Sequence, residues 1–296
     1  MVEILSLSPY IINILILIAI YVILAVSLNL ALGFTGLLNL GHVAFFGIGA
    51  YTSALLSVNL GLPFIVGFLA AGILASIFGL LLAFATARLK GDYLALATLG
   101  FTFVVYSLLL NMQWLTRGPL GIPGIPKPSF FGLVIGNNFL YLILVVIIAF
   151  VSVFIINQIV KSPFGRLLQA TRDDELGLRV LGKNTFKLKY KAMAISAFFA
   201  GLAGSLFAHY ISFIDPSSFT ISEIILILTI VIVGGIASLK GSIIATFVII
   251  IIPELIRFLS LPSAIVGPAR QIVYALILLI VLMYKPRGLF GRIDLQ

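Results

Sequence analysis

Long apolar runs, separated by short polar or glycine-rich stretches, make up most of the chain. A helix needs about 20 mainly apolar residues to cross the hydrocarbon core of a bilayer, and about nine runs reach or approach that length. They lie near residues 10–32, 37–58, 64–87, 93–115, 139–160, 191–211, 221–239, 243–259 and 270–284. The pattern predicts an all-α polytopic membrane protein with eight to ten transmembrane helices in a single domain, residues 1–296.

The second of these runs is interrupted by glycines, which lower its helical propensity. Five glycines occur between residues 33 and 49, with short polar side chains among them. Irregular backbone at membrane depth is tolerated only where protein buries it or where it lines a cavity. Residues 33–54 are therefore predicted to form a broken or re-entrant segment. If that segment crosses the membrane twice, the N-terminus changes side and the rest of the chain keeps its orientation.

Small residues recur every four positions in two of the runs, and such stripes let neighbouring helices approach closely. They are Gly67, Ala71, Ala75, Gly79, Ala83 and Ala87 in the run 64–87, and Ala197, Gly201 and Ser205 in the run 191–211. The simpler interpretation is close packing inside one bundle. Contact with another subunit is the alternative.

The longest polar segment, residues 161–191, holds eight of the 18 Lys and Arg residues. Basic residues accumulate in the cytoplasmic loops of membrane proteins. This rule places the segment and the C-terminus in the cytoplasm and residues 116–129 outside. Four prolines in that outer loop disfavour a helix. The outer loop is either a docking site for an external partner or a plain connector.

A short amphipathic helix is predicted within the cytoplasmic loop. Ser162 and Pro163 form a favourable helix start, and Thr171 with Asp174 resembles a capping box. The pattern predicts a helix over residues 171–181 that ends at Gly182. At about ten residues this helix is too short to span a bilayer.

The two faces of this predicted helix differ in character. Arg172, Glu175 and Arg179 fall on one face, whereas Leu176 and Val180 fall on another. One interpretation is a helix that lies on the inner lipid headgroups. We favour docking to a cytoplasmic partner, because anionic membrane lipid attracts bases and repels the acidic run at residues 173–175.

The amino-acid composition further restricts the class of protein to which the chain can belong. The chain is 62% hydrophobic and 9% charged, with a mean hydropathy of +1.27. These values exclude a water-soluble enzyme and a disordered chain, and the unbroken runs disfavour a β-barrel. There is no cysteine and there are two histidines, which excludes disulfides, iron–sulfur clusters and a three-histidine metal site. The net charge of +9 is assigned to cytoplasmic loops beside anionic lipid rather than to nucleic-acid binding.

Charged side chains fall near the predicted helix ends, with Glu223 at the outer start of the run 221–239. A mid-membrane acid or lysine is costly and is typical of proton relays. Its absence from this pattern argues against a proton-coupled transporter. The groups left to form a pathway in the membrane are neutral polar side chains and glycines. A broken helix can direct its backbone N–H groups at the carboxylate of a substrate. His42 either hydrogen-bonds a neighbour or faces a pathway.

Residues 177–184, GLRVLGKN, nearly match the phosphate-binding loop G-x-x-x-x-G-K-[ST]. Asn184 stands where the hydroxyl that holds magnesium belongs, and no strand is predicted before the run. We therefore expect no nucleotide site here. If ATP is used, another chain hydrolyses it.

Five runs resemble the permeases of ABC importers for branched-chain amino acids. They are GFTGLLNLGHVAFFGIGAY at 33–51, RLKGDYLALATLGF at 88–101, RGPLGIPGI at 117–125, GRLLQATRDDE at 165–175 and KPRGLF at 285–290. The third and fourth runs are similar to the LivM-type subunit rather than to its LivH-type partner. Ala237 and Ser242 stand where the family usually has glycine and proline, so the end of the seventh predicted helix is expected to bend less sharply.

The resemblance implies import of branched-chain or other amino acids by alternating access, in the plasma membrane of a prokaryote. It implies a LivH-type second permease, two cytoplasmic ATPase subunits and an external solute-binding protein as partners. ATP and Mg²⁺ would bind to the ATPase subunits, so this chain itself would hold no cofactor and would not be an enzyme. Within the family, a permease for urea or another small polar solute is the alternative.

Two groups of site residues follow from the segments and the resemblance together. The substrate pathway is expected to include Gly33, Thr35, Gly36, Asn39, Gly41, His42, Gly47, Gly49, Tyr51 and Thr98. Coupling to the ATPase is expected to involve Arg166, Thr171, Arg172, Asp173, Asp174, Glu175, Leu176, Arg179 and Gly182. From a different class, a partner-independent channel or facilitator would use the glycine-rich stretch as its filter. A secondary transporter is disfavoured by the missing buried acid.

Overall fold

The computed structural model of the chain describes residues 9–130, 133–257, 263–285 and 287–291. Helices dominate these residues. They are α1 (Pro9–Asn29), α2 (His42–Asn59), α3 (Phe64–Ala85), α4 (Gly91–Asn111), α5 (Gln113–Thr116), α6 (Asn138–Lys161), α7 (Pro163–Asp173), α8 (Glu175–Val180), α9 (Thr185–Ile211), α10 (Ile221–Gly234), α11 (Leu239–Arg257) and α12 (Ser263–Tyr284). The predicted all-α class is confirmed.

Seven helices in the described part of the chain are long and apolar enough to cross a membrane. They are Pro9–Phe34, Phe64–Ala85, Gly91–Asn111, Asn138–Lys161, Thr185–Ile211, Pro216–Gly234 and Gly267–Tyr284. The predicted count of nine is therefore not confirmed. The runs 37–58 and 243–259 contain α2 and α11. Helix α2 is too polar to be counted, and of α11 only the stretch Leu239–Ile252 enters the comparison. Residues 258–259 of the eighth predicted run lie outside the described residues.

The small-residue stripes face each other inside the bundle. Helix α2 packs against α3 and α9, and α3 packs along α9. A Cβ added at Gly201 would lie 2.6 Å from the Cβ of Ala75, and one added at Gly79 would lie 2.6 Å from the Cβ of Ala197. The predicted packing inside one bundle is confirmed for these positions. Because α2 is enclosed by protein, it does not need an apolar surface toward lipid, which explains its polar composition.

The outer Pro-rich loop is tied to the outer end of α9. It contains one short 3₁₀ turn, Gly118–Leu120, and strand β1 (Ile122–Pro123). Strand β1 pairs antiparallel with β4 (Phe213–Ile214), and Pro126 accepts a hydrogen bond from the ring of His209 at 2.6 Å. A second short hairpin pairs β2 (Ser129–Phe130) with β3 (Leu133–Val134). The loop is thus a fixed part of the outer surface.

Candidate functional site

The first spanning helix ends in an irregular segment on the side where the cytoplasmic loop lies. A π-helical turn, Leu30–Phe34, continues α1, and the backbone then leaves helical geometry at residues 36–41. Gly36 adopts a φ of +73°, which an L side chain rarely tolerates. The predicted break is present. From His42 onward α2 is a regular helix, and a re-entrant course of this segment stays a prediction.

Helix α4 holds the irregular segment in place through two threonines. The N–H of Leu40 donates to Thr98 Oγ1 at 3.0 Å, and Thr102 Oγ1 donates to the Leu40 carbonyl at 3.1 Å. The side chain of Asn39 accepts from the N–H of Gly41 at 3.0 Å. Thr98, predicted as a pathway residue, therefore supports the break. Thr102 has the same function one helical turn further along.

Asn29 joins the same segment to the turn between α10 and α11. The side-chain Nδ2 of Asn29 donates to Ser242 Oγ at 2.7 Å. Its side-chain Oδ1 accepts from the N–H of Ala237 at 2.9 Å. The turn is sharp, with Gly235 at φ +107° and Ala237 at φ +60°. Ala237 thus adopts the left-handed conformation without being glycine, because Asn29 holds its N–H. A bend gentler than that of the family stays a prediction.

His42 and Asn39 are fully buried side chains. The Nε2 of His42 is hydrogen-bonded to Ser27 Oγ at 3.1 Å, and Ser196 Oγ donates to the Ser27 carbonyl at 2.7 Å. Of the two alternatives predicted for His42, this conformation shows the hydrogen bond to a neighbouring side chain, Ser27. Within the described atoms, His42 Nδ1 and Asn39 Nδ2 have no hydrogen-bond partner. Because Ser27 Oγ donates to the Leu24 carbonyl, His42 donates to Ser27 through Nε2 and its Nδ1 is an acceptor. The Asn39 amide donor and this acceptor are the unsatisfied polar groups of the predicted pathway stretch closest to the break.

The other predicted pathway residues serve packing in this conformation. A Cβ on Gly49 would collide with the backbone of Gly201, and one on Gly47 would crowd Phe219. The ring of Tyr51 packs against Phe219 at 6.0 Å between centroids. Thr35 donates to the Leu30 carbonyl at 3.0 Å within the π-helical turn. Their arrangement keeps α2 tightly enclosed.

The cytoplasmic loop forms two helices instead of the single helix predicted over 171–181. Ser162 caps α7 by accepting from the N–H of Gly165 at 3.2 Å, as its sequence context predicts. Thr171 lies inside α7, so its assignment as a cap is wrong. Asp174 breaks the helix and caps α8, because its carboxylate accepts from the N–H of Gly177 at 2.9 Å. Gly182, at φ +74°, follows the end of α8 as expected.

Arg172 brings the two predicted site groups together. Its Nη1 donates to the carbonyl of Gly33 at 2.7 Å, and its guanidinium pairs with Asp173 at 2.7 Å. A Cβ on Gly36 would lie 2.9 Å from the Arg172 Cγ. The prediction that Arg172 shares a face with Glu175 and Arg179 is wrong, because the helix break at Asp174 turns Arg172 toward α1. This contact is called the Arg172–Gly33 joint below.

Glu175 is the centre of an ionic network that fixes α8. Its carboxylate contacts Lys189 at 2.9 Å, Lys90 at 3.3 Å and Arg179 at 2.5 Å. Thr185 Oγ1 donates to it at 3.1 Å. Burial alone would raise the pKa of Glu175, but the hydrogen bond and charge of Lys189, with hydrogen bonds from Thr185 and Arg179, lower it from 4.5 to about 2. The network ties α8 to the first turns of α9 and α4.

We expect Glu175→Gln to lower the thermal midpoint at pH 7 by about 2–8 °C, because a charged hydrogen-bond network is lost. Since the folded-state pKa of about 2 lies below 4.5, the carboxylate stabilises the fold above pH 4.5 and loses this effect as the pH falls toward 2. The difference between wild type and variant should therefore shrink over that range. Asp92→Asn, at an exposed acid in the first turn of α4, is the control. A pH-independent difference equal to the control would contradict the role of the network.

Three apolar side chains project from the cytoplasmic helices into solvent. Leu176, Val180 and Leu181 are 65%, 87% and 75% exposed. In keeping with the sequence prediction that this loop docks a cytoplasmic partner, we call these three the cytoplasmic docking surface. Of the predicted coupling residues, Arg166 is exposed and Asp173 is 64% exposed in its side chain, whereas Glu175 is only 10% exposed. Val180 and Leu181 lie within the predicted helix but were not among the predicted coupling residues.

Lys90, Lys189, Thr185, Asn29 and Thr102 were also missed. They hold the site only through contacts with residues distant in sequence, and no local pattern marks them.

Glu223 lies in the first turn of α10, as the sequence analysis placed it, yet it contacts the first spanning helix far from that helix's ends. The candidate span begins at Pro216, five residues before α10, so Glu223 is the eighth of its 19 residues. The hydroxyl of Tyr21 donates to Glu223 Oε1. Tyr21 is the thirteenth residue of the 26-residue span Pro9–Phe34. A carboxyl group at the start of α10 is thus paired with a residue near the middle of the first span, a contact that the sequence analysis did not predict.

Comparison with known proteins identifies the relatives of the chain. A family profile described as branched-chain amino acid transport system / permease component matches residues 10–282. The high-affinity branched-chain amino acid transport system permease protein LivM of Escherichia coli K12 is 38% identical, over 91% of this chain and 67% of its own length. A probable LivM of Methanocaldococcus jannaschii is 26% identical, over 91% of this chain and 90% of its own.

A more distant relative carries a different printed substrate. The guanosine ABC transporter permease protein NupQ of Bacillus subtilis is 27% identical, over 64% of this chain and 63% of its own length. No solved structure matches the chain significantly.

Proposed function

The chain belongs to the permease-component family of branched-chain amino acid transport systems and is an integral membrane protein of LivM type, and we propose that it forms one transmembrane half of an ATP-driven importer of branched-chain amino acids. The named relatives support the substrate class. The guanosine permease is related over a shorter stretch and marks other solutes as the alternative.

The Arg172–Gly33 joint is the observation that carries the mechanism. It connects the cytoplasmic helices directly to the irregular end of the first spanning helix, across 139 residues of sequence. A displacement of α7 and α8 would pull on the Gly33 carbonyl through a charged hydrogen bond. Because residues 36–41 are not helical, this part of α1 changes shape at lower cost than a regular helix would. The joint therefore transmits movement from the cytoplasmic face into the membrane.

The ATPase docks on the cytoplasmic docking surface. An exposed apolar cluster on a polar loop is typical of a protein–protein contact. The acidic residues contribute less than the sequence analysis expected, because Glu175 and Asp174 are engaged within the chain itself. Asp173 lies at the rim and remains exposed.

The assembly consists of this chain, a LivH-type second permease, two cytoplasmic ATPase subunits and an external binding protein. ATP and Mg²⁺ bind to the ATPase subunits, and this chain contributes no catalytic residue. Helices α7 and α8 and the C-terminus face the cytoplasm of a prokaryotic cell, in agreement with the basic residues of the loop. The outer loop, fixed to α9 by β1 and β4, receives the binding protein.

The substrate pathway borders the irregular segment. The unsatisfied amide donor of Asn39 and the unsatisfied ring nitrogen of His42 support this placement, since a buried polar group without a partner is costly unless it gains one in another state. In the conformation described, both side chains are closed off by protein. Movement of residues 36–41 opens them toward the pathway. Gly47, Gly49 and Tyr51 instead keep α2 fixed against α9 and Phe219.

Replacing Val180 and Leu181 together by serine should release the ATPase subunits without unfolding the chain. Both side chains are largely exposed, so few internal contacts are lost, whereas a docked partner loses about 1.5–3 kcal/mol for each buried side chain. Leu120→Ser, at an outer residue that is 81% exposed, is the control. The amount of ATPase that co-purifies is the measurement. Full retention of ATPase by the double variant would place the docking surface elsewhere.

The complete proposal is tested by gentle extraction of the tagged chain and mass spectrometry of what co-purifies. A second permease and two ATPases are expected. The purified complex with its binding protein should then take up leucine, isoleucine or valine into liposomes in an ATP-dependent manner. Uptake of urea or a nucleoside instead would support the alternative substrate, and solute movement by the chain alone would support a facilitator.

A further inference from the structure

Glu223 is a carboxyl group whose hydrogen-bond partner, Tyr21, lies near the middle of the first span, where a charge in lipid would be most unfavourable. A charge at mid-membrane costs about 3 kcal/mol on insertion scales. If packing were the only role, glutamine could accept the Tyr21 hydrogen bond equally well without that cost. A carboxylate at this depth is favourable when a cation reaches it.

The surroundings of the pair suit a small cation. Helix α12, which carries Tyr274, packs against α10, the helix of Glu223. Next to Glu223, Ser222 is exposed and accepts a hydrogen bond from Gln271 of α12 at 2.9 Å. Tyrosine rings beside a carboxylate form an environment that attracts an ammonium group through charge and through the ring faces. The pair, with Tyr274, Ser222 and Gln271, is called the mid-span polar face.

The mid-span polar face lies at the edge of the single chain. Glu223 is half-buried, Gln271 is exposed, and α12 has no fully buried side chain among its described residues. Polar groups at this depth ordinarily face a water-filled cavity or another protein helix. We infer that another element of the assembly covers this face, beside the carboxyl group that Tyr21 holds.

We propose that Glu223, with Tyr21 and Tyr274, binds the ammonium group of the amino-acid substrate during its passage between the two permeases. This inference rests on the proposed function, because it assigns the charged group that receives part of that substrate. It adds a second pathway element, α10, to the irregular segment at residues 36–41. The substrate carboxylate would then be left for N–H donors elsewhere along the route.

The first experiment uses the purified complex in detergent without its binding protein. Leucine amide keeps the ammonium and loses the carboxylate, whereas 4-methylpentanoate keeps the carboxylate and lacks the amine. Leucine amide should raise the thermal midpoint of the wild-type complex, and 4-methylpentanoate should not. Glu223→Gln should abolish the shift with leucine amide. Equal shifts with both compounds, or no shift with leucine amide in wild type, would overturn the ammonium site.

The second experiment measures transport in liposomes. Glu223→Gln should lower the initial rate of leucine uptake about tenfold, the effect of losing one charged interaction, while the subunits stay assembled. Tyr21→Phe keeps the charge and should lower it less. Tyr141→Phe is the matched control, because it removes a buried tyrosine hydrogen bond to Leu206 away from this face.

The outcomes separate this inference from the proposed function. If wild type imports leucine and Glu223→Gln imports it equally well, the ammonium site is wrong and the importer stands. If the wild-type complex imports no branched-chain amino acid, the proposed function itself is wrong. Should Glu223→Gln fail to assemble, the two-compound titration of wild type still decides the question.

Discussion

Replacement of Arg172 by alanine is expected to lower ATP-driven uptake about 10- to 100-fold, the range that corresponds to one charged hydrogen bond of about 1.5–3 kcal/mol. The guanidinium is 17% exposed and holds the Gly33 carbonyl at 2.7 Å. It therefore contributes to the connection between helices rather than to the docking surface. ATPase subunits should stay bound, and ATP hydrolysis should continue without transport.

Two further variants test whether the loss in Arg172→Ala comes from the contact with Gly33. Arg172→Lys keeps the charge but cannot pair with Asp173 and reach Gly33 through one planar group, so we expect it to restore only part of the uptake. Arg88→Ala removes an exposed arginine near the start of α4 and should leave uptake unchanged. If Arg172→Ala transports normally, the joint does not transmit movement. If it loses the ATPase, Arg172 belongs to the docking surface instead.

Gly49→Ala should have the largest effect on folding. Helices α2 and α9 approach so closely at this position that a methyl group would overlap the backbone of Gly201, which a change of side-chain rotamer cannot relieve. Overpacking of this kind costs about 1–3 kcal/mol, and more where backbone must move. We expect a lower thermal midpoint and a smaller yield of monodisperse protein after extraction.

Gly100→Ala is the matched control for this prediction. Gly100 lies in α4, and a Cβ there would meet no atom within 4 Å. Because alanine favours a helix by about 1 kcal/mol over glycine, this variant should be neutral or more stable. Equal yields and midpoints for the two variants would show that α2 and α9 do not pack as described.

Much of the architecture was predictable because it depends on properties of neighbouring residues. Seven spans follow from apolar runs, and the cap at Ser162 and the stop at Gly182 follow from local backbone chemistry. The small-residue stripes of α3 and α9 were recognised from a four-residue period. The same principle predicted that these stripes pack against neighbouring helices of one bundle, since only small residues allow two helices to approach so closely.

The functional contacts could not be predicted in this way, because they join residues far apart in sequence. Arg172 was expected beside Glu175, yet the break at Asp174 turns it toward Gly33, 139 positions away. Glu175 was expected to face a partner, yet Lys90 and Lys189 surround it.

Glu223 lies at the start of α10 as assigned, but local hydropathy does not show that it contacts Tyr21, 202 residues away. Hydrophobicity and capping determine where helices form. Only the packing of the helices decides which polar groups come into contact, because these contacts depend on the depth and rotation of each helix relative to the others.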